Sequence, residues 1–394
     1  MPTIVVSDAE RKVELSHIKV TLGSWALRAP LGMLGLVLSF MLGLVLALLT
    51  TQNAWSQAPS KVRPPGYATA STPTSTAYRH HNEAMQFAQA LDAAQGWSDG
   101  WAQRWVSQAQ RQARVIQLMR PAPAGTLRDW HAYRDRFVEP RRLRAGQRFW
   151  REHAETLARA EATYGVPAWL IVGIIGVETL YGEHTGQFKV LDALTTLSFD
   201  FPAEHPRRAE RVQFFRDELV AFLKKTRDTT TPPDRWLGSF AGAIGLPQFM
   251  PSNWGRFGVD FDGDGQVDLL NSPADAIGSV ANYIKGFGWR TGMPTHYPVA
   301  FDPQRLDLET LLAPDILPTF TVASMTAKGA VLKDSALNHT GPLALVELEN
   351  GSRPRSYVAG TENFYVITRY NWSSYYAMAV IELGQAVKAL GLKP

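Results

Sequence analysis

The 394-residue chain contains no cysteine. Disulfide bonds, thiolate metal sites and cysteine nucleophiles are therefore excluded, and the cellular compartment has to be inferred from other features. A strong excess of one charge is also absent, because the formal net charge is only +4. So small and scattered a positive excess does not indicate nucleic-acid binding, and no recognition helix or RNA-binding motif occurs. It suits a membrane surface or an anionic polymer.

A long uncharged run is present near the N-terminus, from Leu31 to Leu49. Its length is sufficient to cross a bilayer as a helix, so residues 29–50 are predicted to be a transmembrane anchor or a signal segment. Basic residues within 1–28 favour retaining that segment in the cytoplasm and exporting the rest. Ser56-Gln-Ala58 has the small-x-small form of a signal cleavage site, so an anchored and a cleaved protein are both open. A buried core helix is the less favoured interpretation.

Beyond this run the chain divides by composition. Residues 51–79 are rich in Pro, Ser, Thr and Ala, which predicts a flexible linker. A folded domain is predicted over 80–394, beginning with amphipathic helices in 80–165. Residues 299–370 alternate short apolar and polar runs, as is typical of a small antiparallel sheet, and 371–394 predicts a final helix. The predicted fold class is α+β, mostly α.

One carboxylate lies within a strongly apolar helical stretch. At helical spacing the neighbours of Glu178 are Ile174, Ile175, Tyr181 and Gly182, so no local cation is available to it. Desolvation penalises the ionised form and raises the pKa of a carboxyl group toward neutrality, as a proton donor requires. The sequence therefore predicts that Glu178 is a general acid. The alternative is a helix-end carboxylate that reaches water or pairs with a buried arginine.

Acidic side chains alternate along a short segment after Val259. They occupy positions one, three, five and nine of a loop whose sixth residue is Gly265 and whose seventh, Gln266, would offer its carbonyl. This spacing is that of an EF-hand calcium loop. Position twelve is Asn271 instead of the usual bidentate Glu. The sequence predicts one structural Ca²⁺ site, with a solvated acidic turn as the alternative; its first four carboxylates are Asp260, Asp262, Asp264 and Asp268.

An arginine-rich helix is predicted between Ser198 and Pro233, with an apolar face that includes Phe215 and Phe222. Basic residues on the other face, among them Arg211, are interpreted as a solvated surface in preference to a substrate clamp.

Several collinear blocks resemble the membrane-bound lytic transglycosylase B family, enzymes of the bacterial envelope that cleave peptidoglycan. The resemblance runs from about residue 80 to near the C-terminus, although the absence of cysteine departs from the lipidated members. It implies a lysozyme-like core over 166–298 with an EF-hand-like loop at 260–275, followed by the strand-rich part. The matching blocks are Val166-Pro167, Gly173–Thr179, Leu191–Phe199, Gly238–Gly245, Gln248–Ser252, Asp275–Tyr283 and Ile367–Asn371.

The resemblance also implies roles for individual residues. Ser239 and Gln248 would hydrogen-bond the reacting sugar or Glu178, Asn371 would orient the substrate, and Asp275 would be the last calcium ligand. Aromatic rings would line the groove and stack on sugar faces, namely Tyr133, Tyr283, Tyr370 and Tyr376. Plainer roles are also open, because Tyr283 fits a helix core, Asn371 a cap of the final helix, and Ser239 a turn.

The resemblance, together with the single well-placed carboxylate, implies a lytic transglycosylase that cleaves the β-1,4 bond between N-acetylmuramic acid and N-acetylglucosamine without water. Glu178 would act first as acid and then as base, leaving a 1,6-anhydro end, with no catalytic cofactor. The alternatives are a lysozyme-type hydrolase and, less favoured, a non-catalytic peptidoglycan-binding protein. The expected location is the periplasm of a Gram-negative bacterium, anchored to the inner membrane or soluble after cleavage. Peptidoglycan strands and the inner membrane are the expected partners, with proteins of cell-wall synthesis or remodelling as further candidates.

Overall fold

The computed structural model describes residues 77–121 and 127–391. The predicted membrane segment at 29–50 and almost all of the predicted linker at 51–79 lie outside these ranges. Within them, no single helix is both long and apolar enough to cross a membrane. One helix pair, Ala154–Tyr164 and Ala168–Thr179, meets that test jointly by length and composition, but it is bent by 115°.

The described residues are mostly helical. Short 3₁₀ helices occur at Tyr78–His80, Pro233–Arg235 and Asp334–Asn338. The α-helices are α1 (Asn82–Gln95), α2 (Trp101–Gln108), α3 (Ala113–Leu118), α4 (Trp130–Arg134), α5 (Pro140–Glu152), α6 (Ala154–Tyr164), α7 (Ala168–Thr179), α8 (Val190–Phe199), α9 (Arg208–Arg227), α10 (Pro251–Phe257), α11 (Pro273–Gly286), α12 (Leu308–Leu312), α13 (Val322–Ala327), α14 (Glu362–Thr368) and α15 (Ser374–Gly391).

The strands are short and pair only antiparallel. Among the described residues, β3, β7 and β6 form a three-stranded sheet, and two-stranded sheets are formed by β1 with β2 and by β4 with β5. The predicted class, a mostly helical α+β fold with a small antiparallel sheet, is confirmed. The strands are β1 (Phe188–Lys189), β2 (Leu237–Gly238), β3 (His296–Pro298), β4 (Ala300–Phe301), β5 (Ala330–Val331), β6 (Ala344–Asn350) and β7 (Arg353–Gly360).

Helix α7 is the centre of the main core. It is apolar on every face, so it can only be accommodated with neighbours all round, and its residues from Leu170 to Thr179 are all buried. Glycines bring α7 and α15 into close contact: a Cβ at Gly173 would lie 2.3 Å from the Val380 carbonyl oxygen, and one at Gly384 would lie 2.1 Å from that of Trp169. Larger residues at these positions would force the helices apart.

A second, smaller core lies under the strand-rich part. Leu311 and Met325, from α12 and α13, pack there with Tyr297, Leu343 and Leu345. The segment predicted as a small sheet thus contains helices as well as strands. The candidate site described next is built on the main core and on the chain that leads into α15.

Candidate active site

Glu178 is the penultimate residue of α7 and only 7% exposed. Burial raises the pKa of its carboxyl group from 4.5 to about 8, and a hydrogen bond from Tyr376 opposes that rise. The Tyr376 hydroxyl donates to Oε1 at 2.6 Å. No ion pair to Glu178 occurs in the described part of the chain, and the buried guanidinium of Arg142 instead binds the Gly176 carbonyl oxygen at 2.7 Å. The predicted apolar surroundings of this carboxylate are confirmed.

The turn after α7 holds the acid against the glycine-rich segment 238–251. Leu180 and Tyr181 adopt positive φ values of 51° and 58°, a conformation that costs a non-glycine residue about 1–2 kcal/mol. Thr179 stabilises this turn, because its Oγ1 donates to the Leu246 carbonyl oxygen at 3.0 Å and accepts from the Gly182 amide at 3.1 Å. The position of Glu178 therefore depends on a contact 67 residues along the chain.

Two polar side chains of the glycine-rich segment face the same cleft. Ser239 Oγ accepts the Ala243 amide at 3.0 Å, which is the turn role that was open for it. The Nε2 group of Gln248 donates to the carbonyl oxygens of Thr185 (3.1 Å) and Gly245 (2.9 Å). Both amide hydrogens of Gln248 are thus used within the protein, and its Oε1 is the atom that can accept a ligand hydroxyl.

The cleft beside Glu178 has a volume of about 340 Å³. Six of the residues predicted for the site line it: Glu178, Ser239, Gln248, Tyr283, Tyr370 and Asn371. Tyr133 and Tyr376 were predicted to line it but are absent from its wall. Both are buried, Tyr376 beneath the acid and Tyr133 among Trp130, Phe137 and Tyr375. Tyr376 can act on the site through its hydrogen bond to Glu178, whereas the Tyr133 hydroxyl has no hydrogen-bond partner among the described residues.

The two tyrosines of the cleft wall use their hydroxyls to hold backbone. Tyr370 donates to the Pro247 carbonyl oxygen and Tyr283 to that of Arg369, each at 2.6 Å. Their ring centroids are 4.7 Å apart, and Tyr370 also stacks on Tyr376 at 6.3 Å. The rings therefore pack as one aromatic wall. Tyr283 is 3% exposed and takes the helix-core role that was open for it, while the partly exposed Tyr370 suits the apolar face of a sugar.

Asn371 lies 9% exposed in the cleft wall, and its buried Nδ2 has no partner among the described residues. The alternative role as a helix cap belongs to another residue, because Ser373 Oγ accepts the Tyr376 amide at the start of α15. Asn371 thus offers an unused donor beside the acid.

Sequence reasoning missed a second carboxylate in the cleft. Glu218 of α9 is 4% exposed, and burial raises its pKa. Both of its oxygens accept from Ser252, from the amide at 2.9 Å and from the hydroxyl at 2.6 Å. A signal was available, because Glu218 lies at helical spacing from Phe215 and Phe222 on the buried face of α9. Both of its oxygens therefore hold the first turn of α10.

The sequence also did not predict that arginines line the cleft. Arg211, interpreted as part of a solvated surface, lines the cleft, and burial lowers the pKa of its guanidinium to about 10. Arg369 and Trp372 line the cleft on the side of Tyr370. The residues from 368 to 372 thus all face the ligand space, although the sequence singled out only two of them.

The acidic loop lies outside this cleft. Carboxylate oxygens of Asp260, Asp262 and Asp264 all lie within 4.8 Å of one another. Gly263 and Gly265 turn the loop with positive φ values of 83° and 91°. Their amides donate to Asp260, at 2.7 Å to Oδ1 and 2.8 Å to Oδ2. Three carboxylates so close repel one another unless a cation lies between them, and an all-oxygen set is what Ca²⁺ prefers.

The later members of the predicted ligand set have other contacts. Asp275 is 1% exposed, and its two oxygens accept the amides of Phe261 and Asp268, each at 2.7 Å. Asp268 Oδ1 accepts the Asn271 amide at 3.0 Å, and the Gln266 amide donates to Asp264. Asp275 therefore joins the two ends of the loop to the first turn of α11, apart from the three clustered carboxylates.

Comparison with known proteins gives concordant matches. A family model described as the transglycosylase SLT domain matches residues 79–385. The membrane-bound lytic murein transglycosylase B of Escherichia coli (strain K12) is 40% identical over 320 residues, which cover 79% of this chain and 84% of that protein.

Two solved structures are informative about ligands. The Escherichia coli lytic transglycosylase Slt35 in complex with calcium superposes with a TM-score of 0.68 at 37% identity, covering 80% of this chain and 99% of that one. SltB3 from Pseudomonas aeruginosa in complex with NAG-NAM-pentapeptide has a TM-score of 0.64 at 31% identity, covering 78% and 82%.

Proposed function

Because the chain belongs to the transglycosylase SLT domain family and is a lytic murein transglycosylase, we propose that Glu178 alone serves as its acid and base. The observation that carries this proposal is the burial of the Glu178 carboxyl group without a charged partner among the described residues, which raises its pKa to about 8. At neutral pH such a group holds a proton that it can give to a leaving oxygen. No metal or organic cofactor is required for that step.

In the first step Glu178 protonates the oxygen that links N-acetylmuramic acid to N-acetylglucosamine, and the bond to the anomeric carbon breaks. Tyr376 occupies Oε1, so Oε2 is the oxygen that carries the transferred proton. The carbonyl oxygen of the substrate's own N-acetyl group stabilises the positive charge at the anomeric carbon. The protein then needs no second carboxylate as nucleophile.

In the second step the ionised Glu178 removes the proton from the C6 hydroxyl of the muramic acid. That oxygen attacks the anomeric carbon, and the 1,6-anhydro end forms while the carboxyl group regains its proton. The Tyr376 hydroxyl steadies the transient carboxylate, since its hydrogen bond favours the charged form.

The polar atoms of the cleft supply the sugar contacts of this proposal. Gln248 Oε1 accepts from a sugar hydroxyl, and Asn371 Nδ2 donates to a carbonyl or hydroxyl oxygen near the acid. Ser239 lines the same wall, and Tyr370, supported by the buried Tyr283, offers its partly exposed ring to the sugar. The substrate is a glycan strand bearing peptides, by analogy with the fragment bound to SltB3 of Pseudomonas aeruginosa.

A lysozyme-type hydrolysis would require a residue to activate water, and Glu218 is the other carboxylate of the cleft wall. Its two oxygens are already engaged by Ser252, which argues against that use. Mass spectrometry of digested sacculi separates the reactions. Muropeptides lighter by one water than the hydrolysis products are expected, and reducing ends in their place would contradict the proposal.

We further propose that the acidic loop is an EF-hand-like calcium site. Asp260, Asp262 and Asp264 would provide the clustered oxygens, with the Gln266 carbonyl and Asp268 beside them. The Slt35 structure with calcium supports this assignment. Asp275 is retained as the last ligand of the proposal, and it also closes the loop through its amide contacts. The ion's contribution is structural, because the loop lies outside the cleft.

The cellular location is inferred from a relative and from the N-terminal sequence. The relative from Escherichia coli is described as membrane-bound, and the uncharged run at 31–49 is long enough for a membrane helix. A periplasmic enzyme associated with the inner membrane is accordingly proposed.

A further inference from the structure

Two exposed arginines flank the ring of Phe287. The guanidinium carbon of Arg369 lies 5.4 Å from the ring centroid, and that of Arg256 lies 5.7 Å from it. Neither arginine makes an ion pair with a carboxylate among the described residues. We call Arg256, Phe287 and Arg369 the arginine ledge.

The arginine ledge adjoins the candidate active site. Arg369 lines the cleft directly, and its guanidinium also lies 5.6 Å from the ring of Trp372, another residue of the wall. Arg256 lies on α10, one turn beyond Ser252 and Asn253, which line the cleft as well.

The charges of the ledge act on the cleft wall. Burial raises the pKa of the Tyr283 hydroxyl, and Arg369 and Arg256 both oppose that rise. Both positive charges are therefore close enough to influence a residue of the ligand space, and either can influence an anion bound there.

Elsewhere in the described chain, arginines commonly have acidic partners. Arg353 binds Asp129 at 3.0 Å, and Arg290 binds Glu362 at 2.9 Å. The ledge instead sets two like charges beside one ring without an ion pair among the described residues. Arg369 Nη1 donates to the Tyr365 hydroxyl at 3.3 Å, and the other guanidinium N–H groups of the ledge can bind an anion. This arrangement favours a ligand with carboxylate groups.

We infer that the arginine ledge binds the free carboxylates of the peptide stems carried by the glycan strand. The inference rests on the proposed function, because a strand whose muramic acid lies against Glu178 places its peptide beside the cleft. A guanidinium group can donate two parallel hydrogen bonds to one carboxylate, which a neutral side chain cannot match. The ledge would thus select strands that still carry peptides.

The test compares three soluble substrates made from the same glycan strands. One carries its peptides, one has had them removed by an amidase, and one carries peptides whose carboxylates are capped as amides. The value of KM is measured on each for the wild type, Arg256→Gln and Arg369→Gln. Arg148→Gln is the matched control, since Arg148 is exposed on α5 and does not line the cleft.

The wild type should prefer peptide-bearing strands to the other two. Each ledge variant should reduce that preference by about twofold to fivefold, as expected for one exposed charge contact, whereas Arg148→Gln should retain it. Arg256→Lys and Arg369→Lys should recover part of it. Equal changes in KM on all three substrates, or an unchanged preference, would overturn the inference. Failure of the proposed function would be distinct, since it would appear as full activity in Glu178→Gln.

Discussion

Two carboxylate sites in this molecule have opposite electrostatic surroundings, namely the buried acid and the acidic loop. Glu178 has no ion-pair partner among the described residues, is 7% exposed and lies near the end of a helix that is buried along most of its length. Asp260, Asp262 and Asp264 are crowded within 4.8 Å on a loop, and the last two are exposed. Glu178 is largely shielded from solvent, whereas the three aspartates are exposed to it in part but lie close to one another.

The difference shows that the surroundings decide what a carboxylate can do. Desolvation favours the neutral form of Glu178, so this side chain can carry a proton. The acidic loop remains hydrated, and its repulsion is relieved by amides such as that of Gly265 and, in our proposal, by a cation. The same functional group is suited to proton transfer in one place and to metal binding in the other.

The largest effect is expected from removing the buried acid. Glu178→Gln keeps the shape of the side chain but cannot transfer a proton, so release of anhydromuropeptides from sacculi should fall by about 10⁴-fold, the upper range for a positioned acid or base. Glu152→Gln, at an exposed position of α5, should retain wild-type activity. Circular dichroism must show that both variants are folded. If Glu178→Gln released anhydromuropeptides at a rate within tenfold of the wild type, Glu178 would not be the catalytic acid.

The second prediction concerns stability and pH. The pKa of Glu178 is about 8 in the folded chain, against an ordinary value of 4.5. Above pH 4.5 the folded state therefore holds a proton that the unfolded state has lost, and stability falls as pH rises toward 8. Between these two pH values the free energy of unfolding falls by at most about 5 kcal/mol.

Denaturant unfolding of the wild type and Glu178→Gln between pH 4 and pH 9 measures this dependence. The difference between the two free energies of unfolding should change steadily in favour of the variant, because glutamine does not ionise. A constant difference over this range would show that the carboxyl group has an ordinary pKa.

The third prediction tests the acidic loop. Calcium that binds only the folded chain stabilises it by about 2.7 kcal/mol at a concentration of 100 Kd, so chelation should lower the Tm. Calorimetry should show one site, which Asp262→Ala should lose and Asp228→Ala, at an exposed position outside the loop, should keep. Glu178→Gln should bind calcium like the wild type. An unchanged isotherm in Asp262→Ala would refute the site.

Both carboxylate sites could be predicted from the sequence because their main features are local. The apolar setting of Glu178 is local, since Ile174 and Ile175 belong to its own helix, and burial confirms it. The acidic loop is local too, because its carboxylates alternate over a few residues. Helix content followed from the same short-range periodicity.

Features that depend on distant packing were not predictable. Tyr376 reaches Glu178 from 198 residues away, and its buried position differs from the groove wall that was expected. The burial of Glu218 could be predicted from the periodicity of α9, but its place in the cleft could not, because Glu218 and Arg369 come together only where α9 and the chain before α15 meet. The periodicity of one segment does not predict which distant segment packs against it.

The smallest predicted effect isolates the single hydrogen bond to the acid. The Tyr376 hydroxyl lowers the pKa of Glu178 against the larger effect of burial, so Tyr376→Phe should raise that pKa by about one to two units, as expected for one bond to a charged group. The basic limb of the pH profile of kcat/KM should move to higher pH. Tyr375→Phe is the control, because its hydroxyl binds the Glu349 carbonyl oxygen instead. A shift of the limb to lower pH, or an equal shift in both variants, would show that Tyr376 does not stabilise the ionised acid.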